Sequence, residues 1–295
     1  MLPHKGQKIR YEEIPPANAS SFTLREFRWP RFPFNWHYHP ELELTLIKKG
    51  SGLRFVGDSI EEFAPGDLCL LGADTPHCWA SHADARGGGH SQVIQFLPDF
   101  LGEGFLRAPE MRPIAGLMYQ ARRGLALNGR LRQSVAKKMA AITAFSEGSP
   151  QRLTVLLSLL GEMAGDTSGC RPLASASYAP PANERSSRKL AGVLDFIHCH
   201  LGSHLSQRQV AGTIRISPQA FSRFFKRAVG KSYIAYVNEL KICKACRALI
   251  ESDATITEVA FASGFNNLSN FNEQFRRLKM MTPRAYRRKA LHSGM

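Results

Sequence analysis

The sequence predicts two domains of different class: an all-β N-terminal barrel followed by helices, and an all-α C-terminal domain built as a double helix-turn-helix. Three observations carry this reading. The chain has 295 residues, more than the roughly 100 to 200 usual for one domain. Residues 22 to 97 read as short strands punctuated by turns, and from about Leu131 the apolar residues follow the helical period. The charge is unevenly placed: 39 Lys+Arg against 24 Asp+Glu give +15, and residues 184 to 295 carry 19 basic and 7 acidic side chains, leaving only +3 for the first 183. An excess of that size favours a polyanionic partner, nucleic acid or an acidic membrane surface. With 43% hydrophobic residues and a mean hydropathy of -0.23, the composition excludes wholesale disorder.

In chain order, residues 22 to 97 read as short strands. LELTLIKKG, GLRFVG, SIEEF, DLCLLG and SQVIQFL are the extended segments, with a hairpin turn at Gly57-Asp58. Leu131, Val135, Met139, Ile142 and Phe145 form one helical stripe, and Leu153, Leu156, Leu157, Leu160 and Met163 a second, with Gly148-Ser149-Pro150 breaking the helices between them. We therefore take residues 1–165 as one domain whose helices, about 130–165, pair two protomers as a homodimer or pack on the barrel. Residues 166–187, rich in Gly, Ser, Ala and Pro, are expected to be a linker. Residues 188–290 then form the helical domain, opened by Leu190, Val193, Leu194, Ile197 and Leu201 at helical spacing.

That domain contains a repeat of about fifty residues. Val210-Ala211 recurs as Val259-Ala260, Phe221 as Phe271, Phe225-Lys226-Arg227 as Phe275-Arg276-Arg277, and Tyr236 as Tyr286. Each copy reads as a helix, a tight turn and a second helix starting near Ser217 or Asn267. Gly264 supplies the permissive backbone of one turn, and Pro218 suits a first helical turn. With the phenylalanines facing a core, Ser217, Gln219, Ser222, Arg223 and Lys226 in copy one are candidates to touch base edges and phosphates. Asn267, Ser269, Asn270, Gln274 and Arg277 are their counterparts in copy two. The stretch IAYVNELKICKACRALI reads as a long helix joining the copies. Held rigidly, the two second helices would enter major-groove segments about 34 Å apart.

Residues 188 to 289 resemble the AraC/XylS family of bacterial transcription regulators. The specific stretch is ITEVAFASGFNNLSNFNEQFRRLKMMTPRAYRR, through Ile256, Ala260, Gly264, Phe265, Phe271, Phe275, Pro283 and Tyr286. Met280 departs from the family, which usually has glycine there. The resemblance implies sequence-specific binding to promoter DNA and, if the protein activates, contact with RNA polymerase.

In the β domain, WHYHPELELTLIKKG holds His37, His39, Glu43 and Gly50. Odd positions of an extended strand share a face, so the two imidazoles and the carboxylate converge. His77, after the Pro65-Gly66 turn, is a fourth group from a neighbouring strand. Three imidazoles and a carboxylate suit a divalent transition metal. Residues 20 to 98 resemble the cupin barrel, although Gly66 and His77 are farther apart than in metal-binding cupin enzymes and the trailing asparagine is absent. The resemblance implies a small-molecule effector pocket, with these residues as its polar lining or as a metal site. The alternative function is a metal-dependent cupin enzyme, a dioxygenase or isomerase, with an accessory DNA-binding domain. The regulator is preferred over an enzyme because the charge and the most specific motif both lie in the helical domain.

Other features are read conservatively. The scattered Cys69, Cys78, Cys170, Cys199, Cys243 and Cys246 are expected to be reduced thiols. Cys243 and Cys246, like His198, Cys199 and His200, are taken as ordinary helix residues. Trp29, Trp36 and Trp79 are barrel packing or pocket lining, and GGGH at residues 87 to 90 reads as a flexible loop. With no apolar run of about 18 residues and no signal-peptide pattern, a cytoplasmic protein without a membrane partner is expected.

Overall fold

The computed structural model describes residues 10–15, 19–82, 85–102, 104–178, 189–190, 192–194, 196–197, 200 and 206–292. The chain divides after Pro180 into two compact units.

The first unit is two facing β-sheets with helices on one outer side. Its strands are β1 (Arg10–Tyr11), β2 (Thr23–Trp29), β3 (His37–Tyr38), β4 (Leu42–Lys49), β5 (Gly52–Val56), β6 (Ser59–Phe63), β7 (Leu68–Leu71), β8 (His77–Ser81), β9 (Gly89–Phe96), β10 (Leu125–Leu127) and β11 (Cys170–Pro172). One sheet runs β1-β3-β8-β5-β6 and the other β11-β10-β7-β4-β9-β2. Every pairing is antiparallel except that of β1 with β3. The expected hairpin forms: β5 pairs with β6 around Gly57, whose φ of 56° suits a glycine turn.

β4 shows why the alternation looks as it does. Leu42, Leu44 and Leu46 pack outward in a cluster with helices α1 (Arg112–Gln120), α2 (Gly129–Ala141) and α3 (Pro150–Gly165). Glu43, Thr45 and Ile47 face inward and line a cavity between the sheets. Glu43 and Thr45 thus point into the barrel with Ile47, and the three leucines toward the helices, unlike a sheet whose second face meets water.

The same cluster holds most of the two helical stripes. Leu131, Val135, Met139, Ile142, Leu156, Leu160 and Met163 are buried against the six-stranded sheet and α1, with Leu153 partly buried beside them, whereas Leu157 is half-buried and outside the cluster. Phe145 lies beyond the helix and is exposed, a departure from the expected stripe. Ser149 caps α3 by accepting from the Arg152 N–H, with Pro150 in the first turn, as the helix break required.

The expected linker begins later than its composition suggests. Cys170–Pro172 pair with β10, Leu173 and Ala174 are buried, and Arg171 bridges to Glu61 at 2.6 Å. Pairing with an edge strand needs backbone groups and not apolar side chains, which is why composition did not reveal it. Residues 179–187 of that expectation lie outside the described residues.

The second unit is helical throughout its described residues. Leu190, Val193, Leu194 and Ile197 are buried helix residues, while Leu201, His198 and Cys199 lie outside the described residues. Then come α4 (Gln207–Thr213), α5 (Pro218–Val229), α6 (Tyr233–Glu251), α7 (Ile256–Ala262), α8 (Leu268–Lys279) and α9 (Pro283–His292). The repeat is literal in three dimensions. Both leading helices open with a capping box, Ser206 with Gln209 and Thr255 with Glu258. Phe225 meets Tyr236 edge-on at 5.5 Å, and Phe275 meets Tyr286 edge-on at 5.5 Å. α6, 19 residues and therefore about 28 Å long, packs on helices of both copies. Cys243 and Cys246 are buried within it as ordinary core residues.

Candidate functional site

The barrel brings together all four residues singled out for it. His37 opens β3 and pairs directly across with His77, which opens β8; His39 follows β3, and Glu43 sits in β4 facing inward. One ligating atom from each lies within 4.8 Å of all the others. His39 Nε2 stands 3.0 Å from Glu43 Oε2, and His77 Nε2 stands 3.6 Å from Glu43 Oε1. The Glu43 carboxylate also accepts from Thr45 Oγ1 and from Gln95 Nε2 at 2.8 Å.

A fifth group escaped the sequence reading. Glu12, beyond β1, places Oε2 2.9 Å from His37 Nε2. It lies outside the histidine motif, and the parallel pairing of Arg10 with His37 and Tyr11 with Tyr38 delivers it. No sequence signal marks it, since a two-residue strand has no period to read.

The three rings are oriented alike. His37 Nδ1 faces the Asn35 carbonyl at 2.7 Å, His39 Nδ1 the Glu41 carbonyl at 3.2 Å, and His77 Nδ1 the Thr75 carbonyl at 2.7 Å. Each ring turns Nδ1 to a main-chain carbonyl and so points Nε2 the other way, His37 at Glu12 and His39 and His77 at Glu43, an orientation shared with metal-ligating histidines. His77 Nε2 is buried and makes no hydrogen bond. These four residues therefore fit a divalent transition ion by donor type and orientation.

Charge shapes the cluster. Burial pushes the Glu43 pKa up, but His77 and His39 overcome it and hold the carboxyl well below its usual range. Burial likewise opposes a charge on His39, yet the hydrogen bond and attraction of Glu43 raise its pKa. His77 is lowered, by burial first and by His37 next. The hydrogen bond from His37 lowers Glu12.

Beside the cluster is a cavity of about 100 Å³ lined by Glu12, His37, Glu43 and Gln95 on one side, with Phe27, Trp29, Phe32 and Trp79 supplying aromatic wall. Trp29 is 44% exposed and stands at the mouth, while Trp79 is buried and its indole N–H donates to Asp67. Trp36 is buried and is not among the lining residues. Gly89 and His90, expected in a loop, begin β9 and pair with Trp29 and Arg28.

In the helical unit, Gln219, Arg223 and Lys226 are exposed on one side of α5, opposite buried Phe221 and Phe225. Ser217 and Ser222 are exposed but engaged: Ser217 caps α5 by accepting from the Ala220 N–H, and Ser222 Oγ accepts from Gln207 Nε2 at 2.7 Å. In α8, Ser269, Asn270 and Arg277 are exposed, whereas Asn267 caps the helix by accepting from the Asn270 N–H at 2.7 Å. Gln274 is a correction. It is only 9% exposed and its Oε1 is buried without a partner, because it lies on the core face with Phe271 and Phe275. Its repeat counterpart, fifty residues earlier, is Phe224, which already marked an apolar position. The same offset from Arg223 and Lys226 gives Glu273 and Arg276, both exposed and both missed.

A β-barrel with an internal polar cluster, joined to a duplicated basic helix-turn-helix, defines a class of sensor-reader proteins. Residues 20–167 match the family described as the AraC-like ligand binding domain, and residues 210–289 match a helix-turn-helix domain family. The chain belongs to the AraC family. Relatives include the uncharacterized HTH-type transcriptional regulator YobQ of Bacillus subtilis, 38% identical over 31% of this chain and 38% of that protein. The regulatory protein PocR of Salmonella typhimurium is 35% identical over 34% of this chain and 33% of that protein. The match thus spans about a third of the length of these relatives. The HTH-type transcriptional activator RhaS of Klebsiella pneumoniae is 24% identical over 92% of this chain and 93% of its own. Among solved structures, ToxT of Vibrio cholerae O395 is 14% identical over 91% of this chain and 98% of its own, with a TM-score of 0.36.

Proposed function

We propose that this AraC-family chain is a sequence-specific DNA-binding transcription regulator controlled by a small molecule held in the barrel. The observation that carries the proposal is the duplicated helix-turn-helix, with cationic and amide side chains exposed on both second helices while their phenylalanines are buried. Arg and Lys would hold phosphates, and Gln219 and Asn270 would read base edges. Effector control requires different affinities for two states of the protein, since equal affinity shifts nothing. Family membership favours this reading over a cupin enzyme. No described helix is long and apolar enough to cross a membrane, in keeping with a cytoplasmic protein acting on promoter DNA. A homodimer, and contact with RNA polymerase during activation, belong to the same proposal.

Mapping of genomic binding sites tests the proposal. Enrichment of one sequence motif upstream of genes is the expected result, and uniform occupancy contradicts it.

A second reading of the barrel is favoured by the orphaned His77 Nε2 and the shared ring orientation: His37, His39, Glu43 and His77 hold a divalent transition ion. Such an ion would supply a Lewis-acidic docking point. The protein residues fix ring orientation through the Asn35, Glu41 and Thr75 carbonyls and orient the Glu43 carboxylate through Gln95. Elemental analysis of freshly purified protein is expected to give about one equivalent of one metal per chain on this reading; less than a tenth of an equivalent rules it out.

A further inference from the structure

We propose that the Glu12 carboxylate stands in for the effector: the barrel binds a small carboxylate whose headgroup replaces Glu12 against His37 and whose apolar body lies between Phe27, Trp29, Phe32 and Trp79. The inference rests on reading the barrel as the effector-binding domain and names the chemistry of its ligand.

Two carboxylates reach the imidazole cluster, and they are held very differently. Glu43 is 4% exposed and fixed by Thr45, Gln95 and His39. Glu12 has a side chain 33% exposed, and its contact of hydrogen-bond length is with His37 at 2.9 Å. Among the described residues its segment is attached through the two-residue ladder of β1 on β3, the Glu12 N–H donating to the Tyr38 carbonyl at 3.1 Å and Arg25 Nη2 donating to the Pro15 carbonyl at 3.0 Å. A ladder that short contributes little by itself, so the carboxylate is displaceable where Glu43 is not.

The cavity states the rest of the ligand. One end offers the His37 Nε2 that now holds a Glu12 carboxylate oxygen at 2.9 Å, the place a ligand carboxylate would take, and the wall is aromatic and aliphatic, including Ile47 and Val93. The cavity, about 100 Å³ and open at one side, is room for a small ligand, since a single water needs about 10–15 Å³ by this measure. Departure of the Glu12 side chain enlarges it. A cationic ligand would pair with Glu12 or Glu43 in the same lining and leave Glu12 in place. A neutral ligand would leave the His37–Glu12 contact intact and gain no anchor.

The test is a titration of the full-length protein, as purified, with butyrate, followed by the tryptophan emission that Trp29 and Trp79 report from the cavity wall. Butanol and butylamine at equal ionic strength are the size-matched controls. Butyrate is expected to give a saturable change that neither control gives. A tethered carboxylate competes at an effective concentration in the millimolar range, so Glu12→Ala should bind butyrate about tenfold more tightly. His37→Phe should lose the response while retaining the thermal unfolding midpoint of the parent to within a few degrees. An unchanged or weaker affinity in Glu12→Ala overturns the proposal, as does butanol matching butyrate or the absence of any butyrate response in both proteins. The readout needs no DNA, so its failure is distinguishable from that of the regulator reading: genomic sites without a butyrate response sink only this inference, and a butyrate response without genomic sites sinks only the regulator.

Discussion

The two helix-turn-helix copies share a core and differ at their turns. Phe225 on Tyr236 and Phe275 on Tyr286 repeat the same edge-on contact at the same 5.5 Å, and both leading helices carry a capping box. At the turn between leading and second helix, copy one has Arg215 at φ 54° where copy two has Gly264 at φ 92°. At the end of the second helix the substitution is mirrored: Gly230 at φ 78° in copy one, Met280 at φ 56° in copy two. The backbone demands a left-handed residue at four places, and each copy meets one demand with glycine and the other with a residue that pays about 1 kcal/mol or more for its Cβ. The packing of the phenylalanines therefore fixes the turn, and the turn residue follows. Met280, the departure from the family glycine, changes strain and leaves the geometry intact. Its C-cap hydrogen bond to the Arg276 carbonyl at 2.9 Å matches that of Gly230 to Lys226.

If the two cores are equivalent, Phe225→Ala and Phe275→Ala should each destabilise the helical unit by about 3–5 kcal/mol, measured by chemical unfolding. A loss confined to one of them would break the equivalence.

The DNA-facing sides should be less alike. Copy one exposes Gln219, Arg223 and Lys226, while copy two presents Ser269, Glu273 and Arg276 at the same offsets, with Asn270 and Arg277 beside them. Replacing Gln219 or Asn270 with Ala should relax preference at one base pair by about 1–3 kcal/mol, read from a panel of single-base operator variants. Replacing Arg223 and Lys226 together, or Arg276 and Arg277 together, should instead weaken binding to all sequences. Each pair should flatten the dependence of log affinity on log salt by about 0.9 per lost phosphate contact. Glu273 opposite Arg223 predicts the larger change for the copy-one pair; equal changes would show that the acidic side chain does not face the backbone.

The smallest effects belong to the turns. Arg215→Gly and Met280→Gly each relieve a left-handed residue but loosen the unfolded chain, leaving a gain of about 0.5–1 kcal/mol. Thermal melts of the two variants should rise alike, and no rise in either would mean the strain is absorbed elsewhere.

Much of this was legible from residues with a period. The fifty-residue repeat located both second helices, and the HxHxxxE spacing located His37, His39 and Glu43. What escaped lacked a period or reversed it. β8 is buried over His77 to Ala80, so it shows no alternation; β11 hides in a Ser- and Pro-rich stretch; and Glu12 is joined to the site by pairing of a distant segment. Gln274 was misplaced because a polar side chain at a core position looks like surface until the repeat sets it beside Phe224.

The central claim is that both copies read one face of a single duplex. Hydroxyl-radical footprinting of the full-length protein on a selected operator tests it most directly. Two protected segments centred about 34 Å, one helical turn, apart are the expected result, with Arg223→Ala/Lys226→Ala weakening one and Arg276→Ala/Arg277→Ala the other. A single protected segment, unaffected by one of the pairs, would contradict it.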